Sequence, residues 1–420
     1  MSAPAQTTVD AGGSDLDAFR AEVRDWLATV AAPRSATIRG PADLAVFRNL
    51  SDEQEQQLLD AARNYRRQRF DAGYGALTLA PEHGGRGLPA SYAAEVARAE
   101  LEFEVPRSTE LISVTTGLVG PAVAMFGTRR QRADYATPLL RTDLLACQLF
   151  SEPGAGSDLA SLSCRAVRDS DGWRIDGQKV WSSGARFADL GMLLARTDPD
   201  LPKHKGITAF LIPLDAPGVE IRPIRQMSGG ASFNEVFLND VRVPDTARLG
   251  DIGQGWKIAG ATLAFERTAS GSVTRKKGGS VAELVELAQQ VGVVDDPVVR
   301  QQLADVYIRA ELRKATADRV ARAAAAGRSP GPAASVGKLM ASDVLVRIGE
   351  IAADLLGNDI TVDTDPSRFA WTEHLLGSPG YRLAGGTDQI QRTIIGERVL
   401  GLPPEPRVDK DRPFSARDRR

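Results

Sequence analysis

A double glycine near the end of the chain has the pattern of a ligand-binding turn. Gly385 and Gly386 stand before Thr387, and apolar residues at helical spacing follow between positions 390 and 399. Glycines let a backbone turn tightly and approach a ligand, and the first amides of a helix bind anions and cofactors. Many Gly-Gly-Thr turns bind nothing, however. These residues alone therefore leave a cofactor contact and a plain turn both open.

A loop rich in Pro and Gly, in the middle of the chain, is the second candidate. It covers residues 148–158, and glycines such as Gly156 allow its backbone amides to point at a ligand. Ser151 and Ser157 add two hydroxyls that donate hydrogen bonds. A simple turn between two strands would explain the same residues. A binding role for this loop is favoured only when the next segment of the chain is considered with it.

A second loop comes next, at residues 176–184, and carries Trp181 and Ser183. It begins with Asp-Gly, a turn signal, and then runs through apolar and hydroxyl residues. Trp181 would fit a core position as well as a ligand-binding surface. Together with the loop at 148–158 and the glycines at 385–386, it forms a set of three segments in which glycines and hydroxyls recur.

The three segments resemble those of the acyl-CoA dehydrogenases, and the resemblance covers roughly residues 75–403. Enzymes of this family remove two hydrogens across the α and β carbons of a thioester. That reaction requires a base, a hydride acceptor, and hydrogen-bond donors for the carbonyl. The resemblance implies that FAD is the acceptor and that its contacts are Phe150, Ser151, Gly156, Ser157, Trp181, Ser183, Thr387 and Gln389.

The resemblance also implies where the catalytic base stands. In many members of the family the base occupies the position matched by Gly385, which has no side chain to take a proton. In the isovaleryl-CoA and long-chain branches, the base occupies the position matched by Glu266, and an Arg follows it, as Arg267 does here. Glu266 is therefore the expected base, although a Glu-Arg pair on a helix is more often a surface feature. The Gly385 amide is the expected donor to the carbonyl, and Ser157, Arg267 and Gly386 are expected substrate contacts.

The elements that position these segments can be inferred from the hydrophobic pattern, which is helical, then strand-like, then helical again. We expect a disordered tail at 1–13, an N-terminal α domain at 14–145, a β domain at 146–250, a C-terminal α domain at 251–405 and a tail at 406–420. The absence of βαβ alternation argues against a Rossmann or barrel enzyme. The order predicts the α+β acyl-CoA dehydrogenase fold, with an N-terminal helical bundle, a central β domain and a C-terminal four-helix bundle.

Local signals predict the ends of individual elements. Ser51 with Gln54 forms a capping box at the start of a helix, and Asp296 before Pro297 starts another. Short apolar runs predict three strands of the β domain, and they cover residues 190–195, 207–212 and 236–243.

Composition excludes several other classes of protein. The chain has 420 residues, 42% of them hydrophobic, with 52 basic and 54 acidic side chains, so bulk charge attracts neither nucleic acid nor an anionic membrane. Two cysteines without CxxC spacing and three scattered histidines predict no disulfide scaffold and no metal site. The start lacks the features of a signal peptide, and no apolar run is long enough to span a membrane. We expect a cytoplasmic protein of bacterial composition.

The leading hypothesis is FAD-dependent conversion of an acyl-CoA to its trans-2-enoyl-CoA in fatty acid or lipid catabolism (β-oxidation), by a homotetramer or homodimer that passes electrons to an electron-transfer flavoprotein. The alternative is a non-catalytic subunit that completes the FAD site of a paralogue in a hetero-oligomer. It is favoured by residues 274–280, which lack the Phe-Gly pair that reaches a neighbouring FAD in many relatives; Arg275 is a substitute contact. An oxidase or a carrier-protein-linked desaturase is a third interpretation.

Overall fold

The computed structural model describes residues 11–34, 43–270, 278–325, 331–406, 409 and 411–416. The side chains of residues 11–14, 266–270 and 324–325 fall outside this description. Glu266 and Arg267 are therefore known as positions on a helix, and Arg275 lies outside the described residues.

Helices form the first third of the chain, in agreement with its 3.6-residue hydrophobic period. Their bounds are α1 (Ala11–Val30), α2 (Asp52–Asp71), α3 (Ala90–Glu100), α4 (Glu110–Val114), α5 (Gly120–Phe126), α6 (Arg129–Gln131) and α7 (Thr137–Arg141). The predicted capping box is confirmed, since the Ser51 hydroxyl accepts from the Gln54 amide while the Gln54 side chain accepts from the Ser51 amide. Helix α1 begins at Ala11, three residues before the expected start of the N-terminal α domain.

The middle of the chain forms a twisted sheet. Its strands are β1 (Ala146–Leu149), β2 (Arg165–Arg168), β3 (Trp173–Ser183), β4 (Leu190–Arg196), β5 (Ile207–Pro213), β6 (Val219–Ile224), β7 (Phe233–Val243) and β8 (Arg248–Leu249). They lie in the order β6-β7-β3-β2-β4-β5-β8, and β1 pairs in parallel with β4. The three strands predicted from apolar runs are confirmed as β4, β5 and β7. Strands β4 and β5 are buried almost throughout, as their continuous apolar runs require.

Helices return after β8. They are α8 (Gly255–Ser270), α9 (Val281–Gln290), α10 (Pro297–Ala325), α11 (Ala334–Leu356), α12 (Pro366–Gly377) and α13 (Asp388–Ile394). The Asp296 carboxylate accepts from the Val298 amide at 2.7 Å, so this helix starts where Asp296-Pro297 predicted. Helices α9 to α12 share a core that includes Leu284, Leu287 and Trp371.

Two cores place the helical domains against the sheet. One joins α5, α7 and α8 to β1, β4 and β5, and the other fills the sheet interior beneath α2 and α4. The predicted fold, with a central β domain between two helical domains, is confirmed. None of the helices in the described ranges is long and apolar enough to cross a membrane.

The end of the chain returns to the β domain. Residues Pro413 and Pro202 form an isolated antiparallel bridge, and the Phe414 amide donates to the Leu201 carbonyl at 3.0 Å. The sequence predicted only a tail here, because a contact between position 202 and position 413 leaves no local signal.

Candidate active site

The loop at 148–158 follows strand β1, and a buried ion pair anchors it to the sheet. The Lys179 ammonium, which is 0% exposed, donates to a Glu152 carboxylate oxygen at 2.8 Å and to the Phe150 carbonyl at 3.0 Å. Glu152 also accepts from the Ser163 and Cys164 amides at 2.7 and 2.8 Å. Both buried charges are therefore paired and hydrogen-bonded, which offsets the cost of removing them from water.

Glu152 remains ionised in this setting. Burial alone would raise the pKa of its carboxyl, but the Lys179 charge and the hydrogen bonds from Lys179, Ser163 and Cys164 outweigh burial and lower it. The second loop predicted at 176–184 is instead mostly strand, since residues 176–183 belong to β3 and continue its pairing with β7. The ion pair joins the first loop to this strand, because Glu152 lies in the loop and Lys179 in β3. The Val180 amide adds a backbone link by donating to the Ser151 carbonyl at 2.9 Å.

Trp181 lies in an outward bulge of strand β3. Lys179 pairs with Val236 but Ser182 pairs with Asn234, so β3 carries one extra residue between them. Trp181 takes that place with a φ of +62°, which costs a non-glycine residue about 1–2 kcal/mol. Its side chain is 59% exposed. Strict alternation from Trp173 would have buried it, so the structure excludes the core position that the sequence left open.

Phe150 and Ser151 begin the first loop beside this bulge. Phe150 is buried and Ser151 half-buried, as is Ser183 at the end of β3. In the part of the chain that the structure describes, neither the Ser151 nor the Ser183 hydroxyl has a protein hydrogen-bond partner. At the outer end of the loop, Gly156 and Ser157 are exposed. Ser151 in the loop and Ser183 at the end of β3 are therefore available to donate to a ligand.

The glycine turn precedes helix α13. Gly385 and Gly386 have φ values of +65° and +86°, a left-handed conformation that glycine adopts without strain. Gln391 Nε2 donates to the Gly385 carbonyl at 2.9 Å, and the Thr387 hydroxyl caps the helix by accepting from the Ile390 amide at 3.2 Å. Gln389 is exposed on the first turn. The Thr387 hydroxyl keeps its own hydrogen for donation.

Asp388 anchors this turn to helix α11. Its buried carboxylate accepts from Arg382 Nε at 2.8 Å, from the Ser342 hydroxyl at 2.9 Å and from Lys338 Nζ at 3.2 Å. Burial alone would raise the pKa of Asp388, but these donors outweigh it and hold the pKa below its ordinary value. The turn therefore has a fixed position against the C-terminal bundle.

A row of four aromatic side chains connects the Trp181 bulge to the glycine turn. Trp181 meets Phe233 edge-on at 6.2 Å, and Phe233 meets Phe47 at 5.4 Å. Phe47 stacks on Tyr381 at 5.5 Å between ring centres. Tyr381 lies four residues before Gly385. The structure thus brings together segments more than 200 residues apart in sequence, and it adds Phe47, Phe233 and Tyr381, which the sequence did not single out.

Helix α8 carries the remaining two predicted residues, Glu266 and Arg267. Its first half is anchored, since Ile258 and Ala259 are buried in the core against β5 and α5. Trp256 at its start meets His204 edge-on at 4.8 Å. The side chains of Glu266 and Arg267 lie outside the described residues, so their roles stay predictions.

The chain matches known proteins along nearly its whole length. Sequence profiles of the N-terminal, middle and C-terminal domains of acyl-CoA dehydrogenases match residues 13–143, 147–241 and 253–400. Acyl-CoA dehydrogenase IpdE1 of Mycobacterium tuberculosis is 36% identical over 404 residues, which is 93% of this chain and 99% of that protein. The chain belongs to the acyl-CoA dehydrogenase family. This membership confirms the predicted family, and it makes the protein an FAD-dependent oxidoreductase.

Solved structures of acyl-CoA dehydrogenases have the same fold. The structure named Tcur3481-Tcur3483 steroid ACAD superposes with a TM-score of 0.75 at 27% identity, over 93% of this chain and 98% of its own. The ChsE4-ChsE5 complex from Mycobacterium tuberculosis gives 0.69 at 27% identity, over 96% and 100% of the two chains.

The residues of this acyl-CoA dehydrogenase fit a flavin. A flavin ring is flat, with apolar faces and a polar edge, and the site offers an exposed indole beside half-buried hydroxyls that have no protein partner among the described residues. The open space around Gly156, where an added Cβ would meet nothing within 4 Å, suits the approach of a ligand. Trp181, Ser151, Ser183 and Thr387 would hold the ring and its edge.

Proposed function

We propose that this acyl-CoA dehydrogenase converts an acyl-CoA thioester to the trans-2-enoyl-CoA, with Glu266 as the base, and that an electron-transfer flavoprotein takes the electrons. The observation that carries the proposal is the aromatic row, which joins the Trp181 bulge to the turn at Gly385. The row links Trp181, the proposed flavin contact, to Tyr381, which lies four residues before Gly385, the proposed carbonyl contact. FAD, when bound, supplies the acceptor for the hydride from the β carbon.

The chain's own residues would divide the remaining work. Glu266 takes the α proton, and the removal of water by the bound substrate makes its carboxylate a stronger base. The Gly385 amide donates to the thioester carbonyl and stabilises the charge that develops there. Ser157, Gly386 and Arg267 orient the substrate. Gly385 has no side chain to act as the base, and the resemblance to the isovaleryl-CoA and long-chain branches implies that Glu266 does so.

The test replaces Glu266 with Gln, which keeps the size of the side chain and removes the base. We expect E266Q to retain its flavin and to lose reduction by acyl-CoA by about 10³-fold, within the usual range for a general base. Glu311→Gln, an exposed carboxylate on α10, is the matched control and should leave reduction unchanged. Reduction of E266Q at the wild-type rate would refute the assignment of the base.

Assays with a panel of straight, branched and ring-bearing acyl-CoA thioesters would identify the substrate. A steroid-derived thioester belongs in the panel because one structural relative is named a steroid ACAD. Small residues on α8, such as Ala264 near Glu266, permit a bulky acyl group. Anaerobic bleaching of the flavin ranks the thioesters, and oxygen consumption during turnover separates a dehydrogenase from an oxidase.

A hetero-oligomer is the second candidate, and the solved ChsE4-ChsE5 complex favours it because that relative contains two different chains. In this assembly the chain would complete the FAD site of a paralogue without reacting itself. Expression of the chain alone decides between the two functions. A yellow homo-oligomer that acyl-CoA reduces excludes the non-catalytic role, whereas a colourless protein that gains flavin only with a paralogue supports it.

A further inference from the structure

A segment near the end of the chain lies on the β domain beside the loop that carries Ser157. Phe414 donates its amide to the Leu201 carbonyl at 3.0 Å, and Ser415 donates its amide to the Pro199 carbonyl at 2.8 Å. The Ser415 hydroxyl also donates to Asp200 at 2.9 Å. Such pairing, with the bridge between Pro202 and Pro413, fixes the segment on one particular turn of the sheet.

Lys203 connects this segment to the active-site loop directly. Its ammonium lies 2.9 Å from an Asp158 carboxylate oxygen and 3.0 Å from one of Asp409. Asp158 directly follows Ser157 and also accepts a hydrogen bond from the Ser161 hydroxyl. The Lys203 side chain is only 12% exposed. One lysine therefore holds a carboxylate of the chain end and a carboxylate next to the predicted substrate contact.

Arg196 makes a second connection, and its Nη1 also donates to the Lys203 carbonyl at 2.6 Å. Its guanidinium is buried and donates through Nη2 to the carbonyls of Ala160 and Leu162 at 2.7 and 3.1 Å. The Phe414 ring covers it, with the guanidinium carbon 3.9 Å from the ring centre. A ring in this position attracts the cation and excludes water, which strengthens the hydrogen bonds that the guanidinium makes.

We propose that Asp409, Pro413, Phe414 and Ser415 form a C-terminal latch that positions the Ser157 loop for substrate binding. The latch reaches the outer end of this loop at Asp158 through Lys203, and it reaches the segment directly after the loop, at Ala160 and Leu162, through Arg196. Its residues are positioning residues, since they act on the loop and not on the reacting atoms. The inference rests on the proposed function, because Ser157 contacts substrate only in that proposal.

The test uses the full-length flavoprotein and two variants of the latch. We expect Phe414→Ala to raise the KM for acyl-CoA about tenfold and to change kcat less than about twofold, the pattern of lost binding that is equal in ground and transition states. Asp409→Asn should raise KM about threefold, in a salt-dependent manner. Phe414→Tyr keeps the ring and should restore the wild-type KM. Asp411→Asn, an exposed carboxylate two residues beyond Asp409, is the matched control.

Amide hydrogen exchange supplies a readout that does not depend on turnover. F414A should accelerate exchange at residues 159–163 and leave the remaining β domain unchanged, whereas D411N should leave both unchanged. An unaltered KM together with unaltered exchange in F414A overturns the proposal, and so does faster exchange throughout the protein, which would show general destabilisation. When no thioester reduces the wild-type flavin, the proposed function fails, and exchange at 159–163 in F414A still confirms or overturns the latch.

Discussion

Two lysines hold opposite ends of the loop at 148–158, in very different surroundings. Lys179 holds the inner end by its pair with Glu152, and neither side chain is more than 5% exposed. Lys203 holds the outer end by its pair with Asp158, which is 57% exposed. Water screens the outer pair but not the inner pair. The comparison suggests a division of roles, in which the buried pair stabilises the fold and the partly solvated pair, under our proposal, positions the loop next to Ser157.

The largest expected effect is the loss of the inner pair. Lys179→Met leaves the Glu152 carboxylate buried without its cation, which should lower the free energy of unfolding by about 3–5 kcal/mol. Urea denaturation measures this loss. The double variant K179M/E152Q removes the uncompensated charge and should recover part of it. A loss below about 1 kcal/mol in K179M would contradict the distinction between the two ends.

Lowering the pH should remove the stability contributed by the inner pair in the wild-type protein. The folded pKa of Glu152 is lowered from an ordinary value of 4.5, so the unfolded state takes up the proton first. The stability that this carboxylate contributes is complete above pH 4.5 and is lost as pH falls below it. Urea midpoints measured between pH 6 and pH 3 should therefore fall less steeply in K179M/E152Q than in the wild type. Equal slopes would contradict an ionised inner pair.

His374 is buried without an ion pair to any described residue, and we expect its effect on stability to lie between those of the inner and outer pairs. His374 Nε2 donates to the Leu345 carbonyl at 2.8 Å, and Nδ1 lies 3.0 Å from the Gly279 amide nitrogen and 3.2 Å from the Leu44 carbonyl. Burial lowers the pKa of His374 from its ordinary 6.5. The unfolded chain then takes up a proton first, and the stability contributed by the neutral imidazole is lost as pH falls below 6.5. His374→Asn should reduce the pH dependence of the urea midpoint between pH 7.5 and 5.5, and an unchanged dependence would exclude this histidine as its source.

The smallest expected effect is the loss of the outer pair. Lys203→Gln should lower the free energy of unfolding by less than about 1 kcal/mol, because the Asp158 partner lies largely in water. The effect should shrink further at 0.5 M salt, which shortens the range of the attraction. Lys205→Gln is the neighbouring control. A decrease in the free energy of unfolding as large as that of K179M would contradict the distinction between the buried inner pair and the outer pair.

The family and the fold can be predicted from local sequence patterns. The glycine turn at 385–386, the Pro/Gly loop and the change from a helical to a strand-like period are all readable without tertiary contacts. Helix caps such as Ser51 are equally local, because the groups that satisfy them lie within three residues. These features depend on bonds within one turn of the chain, which is why the sequence predicts them.

The positions of the anchoring residues could not be predicted in the same way. Lys179 lies in strand β3, and its burial depends on Glu152, 27 positions earlier. The row from Trp181 to Tyr381 joins positions that only the packing of the sheet on the C-terminal domain brings together. A lysine is usually exposed, so its residue type alone favours the opposite prediction.

The sequence by itself determined the family, the order of the domains and the absence of a carboxylate at Gly385, because each of these is a matter of residue type and local period. Only the tertiary structure decided that Trp181 faces outward and that the end of the chain lies against the Ser157 loop. Trp181 faces outward because of the extra residue in β3, which reverses the alternation of the strand at that position. A bulge of this kind exists only in relation to the partner strand, and contacts across 206 positions, such as that of Lys203 with Asp409, exist only after folding.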